Sequence, residues 1–254
     1  MPTIANRGAA RLAVMVALVA LVARGCGGGT KTSDPQANPT QANPTQANAI
    51  QANAIQTNGL EQQSPAQVQQ AAAAALKAAK SVHVTGTAIN NGKPVRVDLR
   101  IQGNASSGTM ELEGVRLEII TIGGTTYLKA DQQTWATLGV PAVAGQRLAD
   151  RWVKTGPQQA TGLTGFSLDN LAAQLIKGDS PWEPTVEQTT LDGNKVVVIS
   201  QQDGSKLYVA NTGPPYPLRG EKKGANAGRT DFTEYGADFH ITAPANAMDT
   251  GEVG

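Results

Sequence analysis

The stretch Val95-Arg96-Val97-Asp98-Leu99-Arg100-Ile101-Gln102 alternates apolar and polar residues without a break. A period of two puts every second side chain on the same side of a strand, so this segment predicts a strand with one apolar face and one charged face. The pattern spreads outward from there. Met110 and Leu112 continue it, and Val115, Leu117 and Ile119 alternate with Arg116 and Glu118 across a Glu113-Gly114 junction that reads as a tight hairpin. Gly123-Gly124 then turns the chain into Thr125 to Lys129, and upstream Asn90-Asn91-Gly92 reads as a further hairpin turn after a segment that starts at Ser81. Together these predict an antiparallel meander with one apolar face.

Helices flank that meander. Ser64-Pro65 pairs a capping serine with a proline at the first helical position, ahead of Ala66 to Lys80. Val68, Ala72, Ala75, Leu76 and Ala79 recur there at helical spacing, a narrow and mostly alanine face that demands close packing. Ala142 to Val153 is mixed in character, whereas Ser167 to Lys177 reads as a second capped helix with Leu168, Leu171, Ala172 and Leu175 on one side and Gly178 at its C-terminal end. Strand signals return at Val186 to Leu191 and Lys195 to Ser200, around the hairpin Asp192-Gly193-Asn194. Further candidates are Lys206 to Ala210, Tyr216 to Glu221, Arg229 to Tyr235 and Phe239 to Thr242. The order predicts a single α+β domain: a curved antiparallel sheet of about ten or eleven strands with helices on its inner side.

The N-terminus is of another kind. Arg7 and Arg11 precede Leu12 to Val22, a run of Leu, Ala, Val and Met only. That run is shorter than the ~20 apolar residues of a membrane span and suits the core of an export signal. It leads into Leu21-Val22-Ala23-Arg24-Gly25-Cys26, which resembles a bacterial lipobox, although Ala23 and Arg24 depart from the commonest residues. The resemblance implies removal of residues 1–25 and a diacylglyceryl thioether on Cys26, which would hold the protein to the extracytoplasmic face of the cell membrane. Two acyl chains suffice for stable anchoring, since each buried methylene contributes roughly 0.8 kcal/mol. Cys26 is the only cysteine, so no disulfide within the molecule is possible.

Residues 26–63 read as a polar tether. A five-residue repeat begins at Gln36, Gln41, Gln46, Gln51 and Gln56, and its units lack the central leucine or phenylalanine that would fill a solenoid. Such a sequence buries too little apolar area to offset its ordering entropy. The folded domain is expected over 64–245, with a tail at 246–254. Without Arg7, Arg11 and Arg24 the 21 Lys+Arg fall to 18 against 20 Asp+Glu, a net charge of −2. Nothing in that balance attracts nucleic acid.

Signatures of catalysis are missing from the sequence. His83 and His240, the only histidines, lie far apart and are too few for a metal site. Gly86 to Lys93 approximates a phosphate-binding loop, but it is one residue too long and Pro94 stands where serine or threonine is required. No enzyme activity, metal or cofactor is expected.

Three stretches resemble the actinobacterial cell-envelope lipoproteins of the LppX and LprG type, which share a fold with the lipoprotein carrier LolA. The first is Ala75-Leu76-Lys77-Ala78-Ala79-Lys80-Ser81-Val82-His83-Val84-Thr85-Gly86. The second is Ile122-Gly123-Gly124-Thr125-Thr126-Tyr127-Leu128-Lys129-Ala130-Asp131, followed by Trp135 and Asp150-Arg151-Trp152-Val153. The third joins Leu207-Tyr208-Val209-Ala210, Pro215-Tyr216-Pro217-Leu218-Arg219, Asp231-Phe232-Thr233-Glu234-Tyr235-Gly236 and Ile241-Thr242-Ala243-Pro244. The resemblance implies a half-barrel around an apolar cavity for an acylated lipid, which Val97, Leu99, Ile101, Met110, Leu112, Leu117 and Ile119 would line. The same residues read equally well as plain sheet core. A partner protein of the envelope is the alternative ligand, because LolA-like domains also serve in stress sensing.

Overall fold

The computed structural model describes residues 56–90, 92–155, 166–177 and 180–249; Cys26, most of the tether and Gly178 lie outside them. Twelve strands form a single unclosed, curved sheet. They are β1 (Ser81–Asn90), β2 (Lys93–Gln102), β3 (Ala105–Leu112), β4 (Val115–Ile122), β5 (Thr125–Lys129), β6 (Val153–Thr155), β7 (Trp182–Leu191), β8 (Asn194–Gln201), β9 (Lys206–Ala210), β10 (Pro217–Lys222), β11 (Gly228–Thr233) and β12 (Met248–Asp249). The spatial order is β12-β6-β5-β4-β3-β2-β1-β11-β10-β9-β8-β7. Two antiparallel meanders, β1 to β6 and β7 to β11, therefore meet where β1 pairs with β11.

The hairpins follow from backbone chemistry. At Glu113-Gly114, Gly123-Gly124 and Asp192-Gly193 both turn residues have positive φ, the mirror-image turn whose twist matches that of paired strands. Gly108 has a different reason to be glycine: φ is 151° and a Cβ there would run into the carbonyl of Asp98 on β2.

Helix α1 (Pro65–Ala78) starts as the sequence predicts, with Ser64 and Gln67 forming a reciprocal capping box. It packs on α4 (Leu168–Ile176), which Ser167 caps. Gln69, almost fully buried, donates from Nε2 to the carbonyls of Leu175 at 2.9 Å and Ile176 at 3.0 Å, satisfying the end of α4. Its Oε1 accepts from Trp182 Nε1 at 3.1 Å. One amide thus joins two helices to an edge strand.

Several expectations need correction. The mixed region Ala142 to Val153 holds a short helix, α3 (Ala142–Leu148), ahead of β6, and another short helix, α2 (Gln132–Thr137), lies before it. Asp131 caps α2 through Thr134 N at 2.6 Å. Phe239 to Thr242 is not a strand: His240 has a φ of 48°, and Phe239 N donates to Gln102 Oε1 at 3.0 Å instead of to a sheet neighbour. The last strand comes later, as β12, which pairs in parallel with β6. The folded part also reaches past 64–245 at both ends, since Leu60 is 3% exposed within the core and Asn58 N donates to Asn211 O at 3.0 Å.

Candidate functional site: the two faces of the sheet

The inner face carries the apolar alternates. Leu99 and Ile101 lie beneath α1 and α4, in a cluster with Leu76, Val82, Val84, Leu168, Ala172 and Phe232. Met110, Leu117 and Ile119 pack instead with Leu128, Trp135, Leu148 and Val153, under the α2–α3 pair. Val97 is half-buried and, with Phe166, touches both clusters. Leu112 is half-buried at the end of β3, in register with Val95 on one side and Val115 on the other.

All seven residues named from the sequence therefore share one face, but burial is graded along it. Beneath the helices the face is closed, with Ile101 and Ile119 at 0% exposure. Toward the C-terminal end of β1 it opens, and Val95, Val97, Leu112 and Val115 remain half-buried beside an exposed Ala88. On β10 a Cβ added at Gly220 would meet nothing within 4 Å. No described helix is long and apolar enough to cross a membrane.

The outer face holds a feature the sequence reading did not single out. A groove of about 490 Å³ is lined by Thr85, Thr87, Arg96, Asp98, Thr109, Glu111, Arg116, Arg229 and Asp231, with Gly86 and Val97. Strand register builds it from two rows. One row runs Arg229–Thr87–Arg96–Glu111–Arg116 across β11, β1, β2, β3 and β4. The neighbouring row runs Asp231–Thr85–Asp98–Thr109–Glu118 across the same strands. The underlying signal is a basic residue two positions before an acidic one, at Arg96/Asp98, Arg116/Glu118 and Arg229/Asp231. These three pairs line up because β2, β4 and β11 run in the same direction.

The acids of the second row are already committed. Asp231 accepts from Arg229 Nε at 2.7 Å and Arg229 Nη2 at 3.1 Å, and from Arg219 Nε at 2.6 Å. Burial alone would raise its pKa, but hydrogen bonds from Arg229 and Arg219 outweigh burial and hold the carboxyl below its ordinary value. Asp98 lies 2.7 Å from His83 Nε2, and the other ring nitrogen of His83 lies 3.2 Å from Glu234. His83 thus ties β1 to β2 and to the segment after β11. His240 is exposed beside Asp238, 3.4 Å from its carboxylate.

No family model and no curated relative matches the chain. Solved structures do. LprF from Mycobacterium bovis is similar with a TM-score of 0.52 and 20% identity, over 71% of this chain and 97% of that one. LppX, a lipoprotein of Mycobacterium tuberculosis, is similar with a TM-score of 0.48 and 13% identity, over 70% of this chain and 97% of that one. MucB in complex with MucA(peri) is similar with a TM-score of 0.33 and 15% identity, over 72% of this chain and 60% of that one. At 20% identity the likeness to LprF speaks to architecture alone, and it extends over nearly all of that chain. The protein has the LolA-like, unclosed half-barrel fold of the LppX/LprG-type lipoproteins.

Proposed function

We propose that the protein is an envelope lipoprotein, anchored through a diacylglyceryl group on Cys26, that binds an acylated lipid against the inner face of its half-barrel. The grading of that face supports this reading. A sheet that merely stored a core would close along its whole length, whereas here Val95, Val97, Leu112 and Val115 form an apolar end that the helices leave half-covered. Apolar surface of that kind gains about 25 cal/mol per Å² when an acyl chain covers it. Gly220 and Ala88 keep the adjoining strands low, leaving room for a chain to lie along the sheet. The tether of repeats would give the domain reach from the bilayer while the anchor stays in place.

The test uses the full chain carrying Cys26→Ala, purified from a mycobacterial host and examined by native mass spectrometry and lipid extraction. Acylated lipid should co-purify, and Leu112→Asp should remove it without unfolding the domain. Absence of bound lipid, together with failure to take up a fluorescent fatty-acyl probe, would overturn the reading and leave a protein partner as the ligand to seek.

A further inference from the structure

We propose that the outer groove is a second, polar binding site, on the face opposite the apolar one, and that it takes a phosphate ester with a hydroxylated alcohol part. Its volume of about 490 Å³ falls within the roughly 300–1,000 Å³ of small-molecule sites.

The charges make it an anion site although arginines and carboxylates line it in equal number. Asp231 is neutralised in part by Arg219, and Asp98 has the guanidinium of Arg100 4.0 Å away, two cations that do not line the groove. That leaves Glu111, which lies in register between Arg96 and Arg116 and makes one long contact to Arg96, at 3.5 Å. One carboxylate cannot satisfy two guanidinium forks. Arg116 therefore keeps a charge that Glu111, already in contact with Arg96, does not fully offset, and the arginines of the row stand about 10 Å apart at the backbone, two strand spacings. Arg229 is already oriented by its two-pronged contact with Asp231, so ordering it on binding costs little.

Phosphate suits this row better than carboxylate because it presents enough acceptor oxygens for two forks converging from strands on either side of β3. Thr85, Thr87 and Thr109 interleave with the charges on the same two rows and offer hydroxyls to the alcohol part. The groove does not depend on the inner-face reading, since a lipid-free inner face would leave it intact.

Two sources share this chemistry, a soluble sugar phosphate and a phospholipid headgroup. The test titrates the full chain carrying Cys26→Ala with glucose phosphate and with glucose by calorimetry. In parallel it sediments the protein with phosphatidylcholine vesicles that do or do not contain phosphatidylglycerol. Binding to glucose phosphate and not glucose assigns a soluble ester, and cosedimentation only with phosphatidylglycerol assigns a headgroup; either upholds the proposal. The paired change Arg96→Gln and Arg116→Gln should weaken the observed binding by at least about tenfold. Both side chains are exposed, so the thermal melt should not move. The milder pair Arg96→Lys and Arg116→Lys keeps the charge and loses the fork, and should give an intermediate affinity. Equal binding of glucose, no binding to either probe, or full affinity in the folded Gln pair would each overturn the proposal.

Discussion

Arg219 reaches across from β10 to donate through Nε to Asp231 Oδ1 on β11 at 2.6 Å, while its Nη2 lies 3.1 Å from Asp192 in the β7–β8 turn. One largely buried guanidinium therefore ties a hairpin tip to the strand that joins the two meanders. Because Asp231 titrates below its ordinary value when folded, its ionised form favours the folded state. That contribution is complete above the unfolded carboxylate range and disappears as pH falls through the depressed folded value. Asp231→Asn should lower the melting temperature near neutrality by the equivalent of about 1–2 kcal/mol. The gap between parent and variant should narrow below about pH 4. Circular-dichroism melts across pH measure it, and a gap that widens in acid would refute the assignment.

Tyr235 behaves in the opposite sense. It is stacked on Tyr216 with centroids 4.0 Å apart and donates its hydroxyl to Pro217 O at 2.6 Å. Burial pushes its phenol well above the ordinary value of 10, with Tyr216 adding to the rise. The neutral ring thus favours folding below about pH 10, and that contribution is lost as pH climbs through the raised value. Tyr235→Phe should cost about 1 kcal/mol near neutrality. Phenolate absorbance below the alkaline unfolding transition should be unchanged by the substitution, because this ring does not ionise while folded.

The grading of the inner face predicts unequal costs for equal changes. Leu99→Ala, beneath the helices, should lose about 2–4 kcal/mol. Leu112→Ala, at the open end, should lose about 1 kcal/mol because much of its side chain already meets solvent. Urea unfolding of both variants gives the comparison directly, and equal losses would mean that the face is closed throughout.

Gly108→Ala should be costly for its size. The added methyl group meets the Asp98 carbonyl, which is backbone and cannot step aside. A loss of about 3 kcal/mol is expected, on the scale of overpacking. Parent-like stability in urea would show that the sheet can relax there.

Cys26→Ala should move the protein from the membrane fraction to the soluble extracytoplasmic fraction. Immunoblotting of fractionated cells reads the change, and retention on membranes would remove the anchor from the proposal.

Much of the first meander was legible because one rule governed it. Where apolar and charged residues alternate strictly, as from Val95 to Gln102, the strand, its faces and its bounding turns follow together. The short elements escaped. Trp135 and Leu148 are buried from helices of six and seven residues, too brief to show a period. Phe239 to Thr242 has a strand's composition, yet Gln102 holds its backbone and Asp238 accepts from His240 N at 3.1 Å. The groove was hidden for another reason. Arg96, Arg116 and Arg229 become neighbours only through register across five strands, and single-strand patterning reads their alternation as a solvated face.

The pairing of β1 with β11 bears on how the protein is made. His83 and Thr233 are register partners although 150 residues separate them. Chains grow from the N-terminus, so the first meander is complete while its β1 edge still waits for a partner encoded close to the other end. Contacts so distant in sequence form slowly, and an open strand edge invites pairing with other chains in the meantime. Premature termination ahead of Gly228 would thus yield two wings with no seam between them, a species built to aggregate. The last strands act as a completion check on the newly made polypeptide.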